Sequence, residues 1–400
     1  MIASLRYHQA MYTNLFDAAI PAIAEQHGDS VRWQKYGGRD VIPLWVADMD
    51  FPAPPEVIEA LRRRVDLGLF GYGQPWPGLI EAIQEHCLRE YRWAIEPDWL
   101  IWLPGLVSGL HVACRAVGAP GDGVFTATPV YPPFLSAPIE SQRRLLTLPL
   151  VRDDLGSQAA WGWDFAAADA IMKAARLFLL CHPHNPVGRA WREDELWQLA
   201  ALAEKHDLVV CSDEIHCDLT LNGTHRPFAS LSPDIAARTI TLMAPSKTFN
   251  IAGLGCAFAV IPNPGLRRAY LSAMHGIVPH VNVLALAACE AAYRHGGPWR
   301  AELLATLRAQ AARVQQFVDA RFELTMTRIE ASFLAWIDCH ELGVEHPAGW
   351  FEQAGVGLSA GADFGQGQAY DRYVRLNFGT TRALLDEALA RMGRACDAVD

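Results

Sequence analysis

Over the first fifty residues apolar and polar positions follow no sustained period, until the apolar run VIPLWVADMDF at residues 41–51. A proline start and apolar side chains at helical spacing (Val57, Ile58, Leu61, Val65) then predict a helix over PPEVIEALRRRVDLGLF. GYGQPWPG reads as a loop, and LIEAIQEHCLREY as a second amphipathic helix. From about residue 99 the pattern changes to short apolar runs alternating with helical stretches. WLIWL is followed by Pro104-Gly105 and the helical LVSGLHVACRAVG. GVFTATP, ARLFLL, LVVCSDE, RTITLMAPSK and GCAFAVIP follow, with the helical REDELWQLAALAEKHD between the second and third. Such runs, apolar throughout rather than alternating, indicate an α/β unit with a mostly parallel sheet covered on both faces.

Two helices near 283–295 and 299–320 lead into a tail that mixes strand-like SFLAWID and YVRLNFG with helical PAGWFEQAG and RALLDEALARMGRACDAV. The chain is therefore expected to form a large α/β domain over 51–285. A smaller α+β domain is expected to combine 1–50 with 286–400. No repeats or low-complexity linkers interrupt it.

Composition narrows the function. Apolar residues are 51% and charged residues 20%, ample for a buried core. The net charge of -10 argues against a general nucleic-acid binder. The N-terminal stretch lacks a leader-like apolar segment, and VNVLALAACEAAY is too short to span a bilayer. Nine cysteines without regular spacing suit a cytoplasmic protein with reduced thiols.

CSDEIHCD (211–218) and CHPHNP (181–186) look at first like metal ligands. Neither Cys-x-x-Cys nor His-Glu-x-x-His occurs, and strand alternation turns Cys211 and Ser212 to opposite faces, so no metal is expected. A nicotinamide site is disfavoured too, since the glycines near 105–123 do not form G-x-G-x-x-G.

Ligands of open α/β sheets collect outside the carboxyl ends of the strands. Asn185, Asp213 and Lys247 each follow such a strand. An amide, an acid and an amine in one crevice suit pyridoxal phosphate. The lysine can condense with its aldehyde, the carboxylate can keep the ring nitrogen protonated, and the amide can donate to the phenolic oxygen. Gly105, Leu106 and Val107 offer backbone N–H groups at a helix start for the phosphate. Ser246 can add a hydrogen bond, and Tyr131 a ring to stack on the pyridine.

HNPVG, SDEIH and APSKTFNIAG resemble hallmark segments of the fold-type I pyridoxal-phosphate enzymes, the aspartate-aminotransferase-like superfamily. DSVRWQKY, PLWVADMDF, FGYGQP, CHPHNPVGR, SDEIHCDL, SKTFNIAGL, AAYRHGGPW and YVRLNFG are similar to its MalY/PatB-type branch of cysteine-S-conjugate β-lyases (cystathionine β-lyases). The resemblance implies a large domain with a mostly parallel seven-stranded sheet between helices. It implies Lys247 as the Schiff-base lysine, Asp213 on the ring nitrogen, and Asn185 and His216 near the ring oxygen. Arg375 would clamp the substrate's α-carboxylate. Trp45 and Ala47 would contact the substrate, with Asn185 and Tyr131 also facing it. Tyr72 would reach a partner subunit's site, so a homodimer is implied. Many aminotransferases place an arginine eight residues after the lysine; here that residue is Gly255. The implied reaction is α,β-elimination of cystathionine or a related conjugate to a thiol, pyruvate and ammonia. Transamination is the alternative, and the residues themselves do not decide between them.

Overall fold

The computed structural model describes residues 15–16 and 28–398. The N-terminal stretch read for a leader, and most of the first 27 residues assigned to the smaller domain, lie outside the described residues.

Seven strands build the main sheet: β1 (Leu100–Leu103), β2 (Gly123–Thr128), β3 (Arg144–Pro149), β4 (Ala175–Cys181), β5 (Val209–Asp213), β6 (Thr239–Met243) and β7 (Ala257–Val260). Their spatial order is β1-β7-β6-β5-β4-β2-β3. Only β7 runs against its neighbours; β3, β2, β4, β5 and β6 pair in parallel. The expected α/β architecture with a mostly parallel seven-stranded sheet is what the chain forms.

The apolar runs form strands because both faces find cover. Side chains alternate between two cores. Phe178, Leu180 and Val210 pack on one side with Trp163, Leu196 and Leu199. Leu177, Leu179, Cys211, Ile240 and Leu242 pack on the other with Leu110, Phe134 and Tyr270. The crossover from β4 to β5 carries the 13-residue helix Glu193–Lys205. That from β5 to β6 carries only 3-10 turns and the five-residue helix Pro233–Ala237. Both deliver the next strand in the same direction, so the segments after β4, β5 and β6 emerge along one edge.

A second sheet of six strands has the order 359–360, 373–377, 334–338, 325–327, 158–162, 151–155. The hairpin 151–162 lies within the span expected for the large domain, yet Gln158–Gly162 pairs in parallel with Thr325–Thr327 of the tail. The boundary expected at 285/286 falls inside the helix Val283–His295, which is capped by Asn282 Oδ1 accepting from the Ala285 N–H at 2.9 Å. Ile42–Pro43 pairs with Val356–Gly357 and ties the N-terminal segment to the tail.

Candidate active site

Where the strand ends meet the tail, a cavity of about 450 Å³ opens, lined by Lys247, Asp213, Asn185, His216, Tyr131, Ser246, Trp45, Ala47 and Arg375 among others. Gly105, Leu106 and Val107 line it as well. Twelve of the thirteen residues singled out in the sequence therefore meet in one place. Tyr72 does not. It is fully exposed, beside exposed Leu67, Leu69 and Phe70.

Asp213 ends β5 and is 5% exposed. Its Oδ1 accepts the Ile215 N–H at 3.1 Å. Burial pushes the carboxyl up to about 7. The Ile215 bond opposes this, neighbouring Glu214 adds to it, and Lys247 opposes it. A carboxyl so placed is poorly solvated and gains from a cationic N–H partner. Lys247 follows β6, and its amine donates to the Ala47 carbonyl. Burial pushes that amine down to about 8, Asp48 and Asp213 pulling upward and Arg375 downward. Asn185 is held by its backbone carbonyl, which accepts the Tyr131 N–H at 3.0 Å. Its Oδ1 accepts from Arg375 Nη1 at 3.1 Å. His216 is buried, its Nδ1 lacks a hydrogen-bond partner among the described residues, and burial with Lys247 and Arg375 lowers it to about 3. It is a neutral imidazole with a ring nitrogen to spare.

Arg375 projects from the strand Tyr373–Asn377 and is 5% exposed. Nη2 donates to the Trp45 carbonyl at 2.8 Å and to Ser359 Oγ at 3.2 Å, and the guanidinium lies 4.8 Å from the Phe364 ring. Its Nε has no partner among the described residues. A guanidinium fixed this way is pre-oriented for a carboxylate.

The wall formed by residues 45–51 has no regular structure of its own, so its backbone groups are satisfied by side chains. Arg32, 1% exposed, donates through Nε to the Pro43 carbonyl at 2.6 Å and through Nη1 to the Asp48 carbonyl at 2.9 Å. Its Nη2 lies 2.9 Å from Asp50 Oδ2. Asn377 Nδ2 donates to the Val46 and Asp48 carbonyls, both at 2.6 Å. Asn250 Nδ2 donates to the Met49 and Phe51 carbonyls at 2.8 and 2.7 Å.

Gly105 precedes the helix Leu106–Ala116, and a Cβ built on it meets nothing within 4 Å. Backbone N–H groups at this helix start border open space, as a phosphate requires. Gly255, eight residues after Lys247, has φ +70° and would place a Cβ 3.1 Å from the Pro104 carbonyl oxygen. Side chains are disfavoured in that conformation.

The donor set fits pyridoxal phosphate. A lysine, a poorly solvated acid, an unpartnered imidazole nitrogen and an open helix start line one cavity, each suited to a different part of that molecule. The two cysteines of CSDEIHCD diverge instead. Cys211 faces the core with Leu110, and Cys217 the core with Trp299. Sequence reasoning missed Ser359, Asp363 and Phe364, which also line the cavity. Their segment, LSAGADFG, forms a two-residue strand and a 3-10 turn, with no period to announce it.

The profile of the family described as aminotransferase class I and II matches residues 39–392. Cystathionine beta-lyase PatB of Bacillus subtilis is 37% identical over 379 residues, covering 92% of this chain and 96% of the relative. The crystal structure of OvoB superposes with a TM-score of 0.89 at 47% identity, covering 93% of this chain and 97% of that one. Cystalysin from Treponema denticola, whose structure contains a pyridoxal 5'-phosphate cofactor, superposes with a TM-score of 0.90 at 32% identity over 96% of this chain and 99% of its own.

Proposed function

The chain belongs to the aminotransferase class I and II family, and we propose that within it the chain is a pyridoxal-phosphate-dependent carbon–sulfur β-lyase acting on cystathionine or related cysteine S-conjugates. The carrying observation is that Lys247, Asp213 and the anchored Arg375 line one cavity in a chain similar almost end to end to a cystathionine β-lyase.

Lys247, Asp213, Asn185, His216, Tyr131, Ser246 and the backbone at Gly105 to Val107 would hold the cofactor, which supplies an electron sink for the bond electrons of the substrate's Cα. Asp213 would serve that sink by keeping a proton on the ring nitrogen. Arg375 accepts the substrate's α-carboxylate, drawing on its unpartnered Nε. That docking sets Cα against the lysine. The Lys247 amine, held near 8 by burial, is available near neutral pH to take the Cα proton. The Cβ–S bond then breaks, and sulfur leaves with its electron pair to become a thiol on protonation. Water converts the three-carbon remainder to pyruvate and ammonia. The Ala47 carbonyl, as acceptor for Lys247, orients the amine between proton transfers.

Tyr72 would complete the cofactor site of a second copy in a homodimer. Its full exposure beside Leu67, Leu69 and Phe70 supports this. A cytoplasmic setting is supported by the nine cysteines, all free and buried. Among the described residues no helix is long and apolar enough to cross a membrane.

The test is a product assay with L-cystathionine. Pyruvate and homocysteine released without an added keto acid support the lyase. Turnover that requires a keto acid supports transamination instead.

A further inference from the structure

Four charged side chains line the cavity: Lys247, Asp213, Arg375 and Asp363. The first two serve the cofactor, and the third the α-carboxylate. Asp363 has no such task. It is exposed, so it stands where the cavity meets solvent. It makes no hydrogen bond to another described residue, and its charge is felt by the Arg375 guanidinium, for which the substrate's carboxylate must compete with it.

Its position is fixed by the chain around it. Asp363 sits in the 3-10 turn Gly361–Phe364. At Gly361 a Cβ would lie 2.1 Å from the Tyr370 carbonyl oxygen, so the turn is pressed against the following segment. Phe364 is 2% exposed and stacks near the Arg375 guanidinium. The carboxylate is thus carried on an anchored turn beside the group that binds the substrate's own carboxylate.

That placement has an electrostatic cost for most amino acids. A substrate docked on Arg375 brings a second negative charge toward Asp363, and like charges repel at this range. The repulsion is offset when the far end of the substrate carries a positive charge that reaches the mouth of the cavity. We propose that Asp363 is a specificity residue that selects amino acids with a distal cation, in practice S-conjugates whose sulfur substituent ends in an ammonium group. A neutral substituent leaves the repulsion uncompensated, and an acidic one adds to it. This names a substrate class for the lyase proposed above and rests on that reading for the word conjugate.

The test uses three amino acids with no β-leaving group, so it does not depend on elimination. L-Lysine, L-norleucine and L-2-aminoadipate have chains of similar length and differ in distal charge. Their dissociation constants from the cofactor-loaded enzyme are measured by calorimetry. Lysine is expected to bind more tightly than norleucine, and norleucine more tightly than 2-aminoadipate. Asp363→Asn should shrink the lysine-to-norleucine preference by roughly fivefold, the scale of a solvent-exposed ion pair. Asp363→Glu should retain the order, and Asp363→Lys should invert it. An unchanged ratio of the three constants in Asp363→Asn and Asp363→Lys overturns the inference. Failure to release pyruvate from any conjugate overturns the lyase reading, while the binding ratios still decide the role of Asp363 independently.

Discussion

Arg375 donates through Nη2 to the Trp45 carbonyl at 2.8 Å, a contact between residues 330 positions apart. The group expected to bind the substrate's carboxylate is therefore fastened to the wall on which the substrate would lie.

Loss of this guanidinium should raise KM with little change in the cofactor's absorbance. Arg375→Ala removes a charge-assisted donor, worth about 1.5–3 kcal/mol, so a rise in KM of roughly 10- to 100-fold is expected. Steady-state kinetics with L-cystathionine checks it. An unchanged KM would place the α-carboxylate elsewhere.

Lys247→Ala should abolish the visible absorbance of the lysine-linked cofactor and lower pyruvate release by at least about a thousandfold. Spectra of the purified variant and a pyruvate assay read the two effects separately. Full turnover without Lys247 would contradict the central assignment.

Asp213 should leave a signature in the cofactor-free protein. Burial pushes its carboxyl up to about 7, above the ordinary value near 4. Between those values the folded chain keeps a proton that the unfolded chain has released. The stability gained from this group is complete at low pH and is lost as pH rises through 7, on the order of 3 kcal/mol. The melting temperature of cofactor-free wild type should therefore fall between pH 5 and pH 8 by more than that of Asp213→Asn. Glu214, also pushed up to about 7 by burial, keeps some dependence in both. Parallel curves would refute the assignment.

Arg32 should matter to stability first and catalysis second. Its ion pair with Asp50 is almost wholly buried, and removing one partner of such a pair costs about 3–5 kcal/mol. Arg32→Ala should melt several degrees lower, and its KM should rise because the 45–51 wall loses its clamp. Thermal unfolding and kinetics at a temperature where the variant remains folded test both. A variant as stable as wild type would show the clamp to be dispensable.

The three strand-end residues are legible in the sequence because parallel strands buried on both faces leave continuous apolar runs, and the polar residue after each run marks the binding edge. That rule points to the edge on which Asn185, Asp213 and Lys247 lie, but His182 and Ser246 precede two of them, so it is the order amide, acid, Ser-Lys that singles out the trio. Arg375, Trp45 and Ala47 carry no local signal and come from resemblance. The 45–51 wall is shaped by Arg32 from nearby and by Asn250 and Asn377 across separations of about 200 and 330 residues. The hairpin 151–162 escapes for a similar reason. Its pairing with Thr325–Thr327 is nonlocal, and VRDDL is mostly exposed, so no buried stripe betrays it. Ser359 and Asp363 lie in elements too short to show a period.

The wall at 45–51 also orders events during synthesis. Its backbone acceptors at Trp45, Val46 and Asp48 are met by Arg375 and Asn377, 329 to 331 positions further along, which leave the ribosome after every strand of the main sheet. The nascent chain can close its main sheet while that wall still lacks these anchors. A competent pocket thus waits on the strand Tyr373–Asn377, and a chain ending before it would have a cofactor-binding edge with no fixed place for an amino acid to lie.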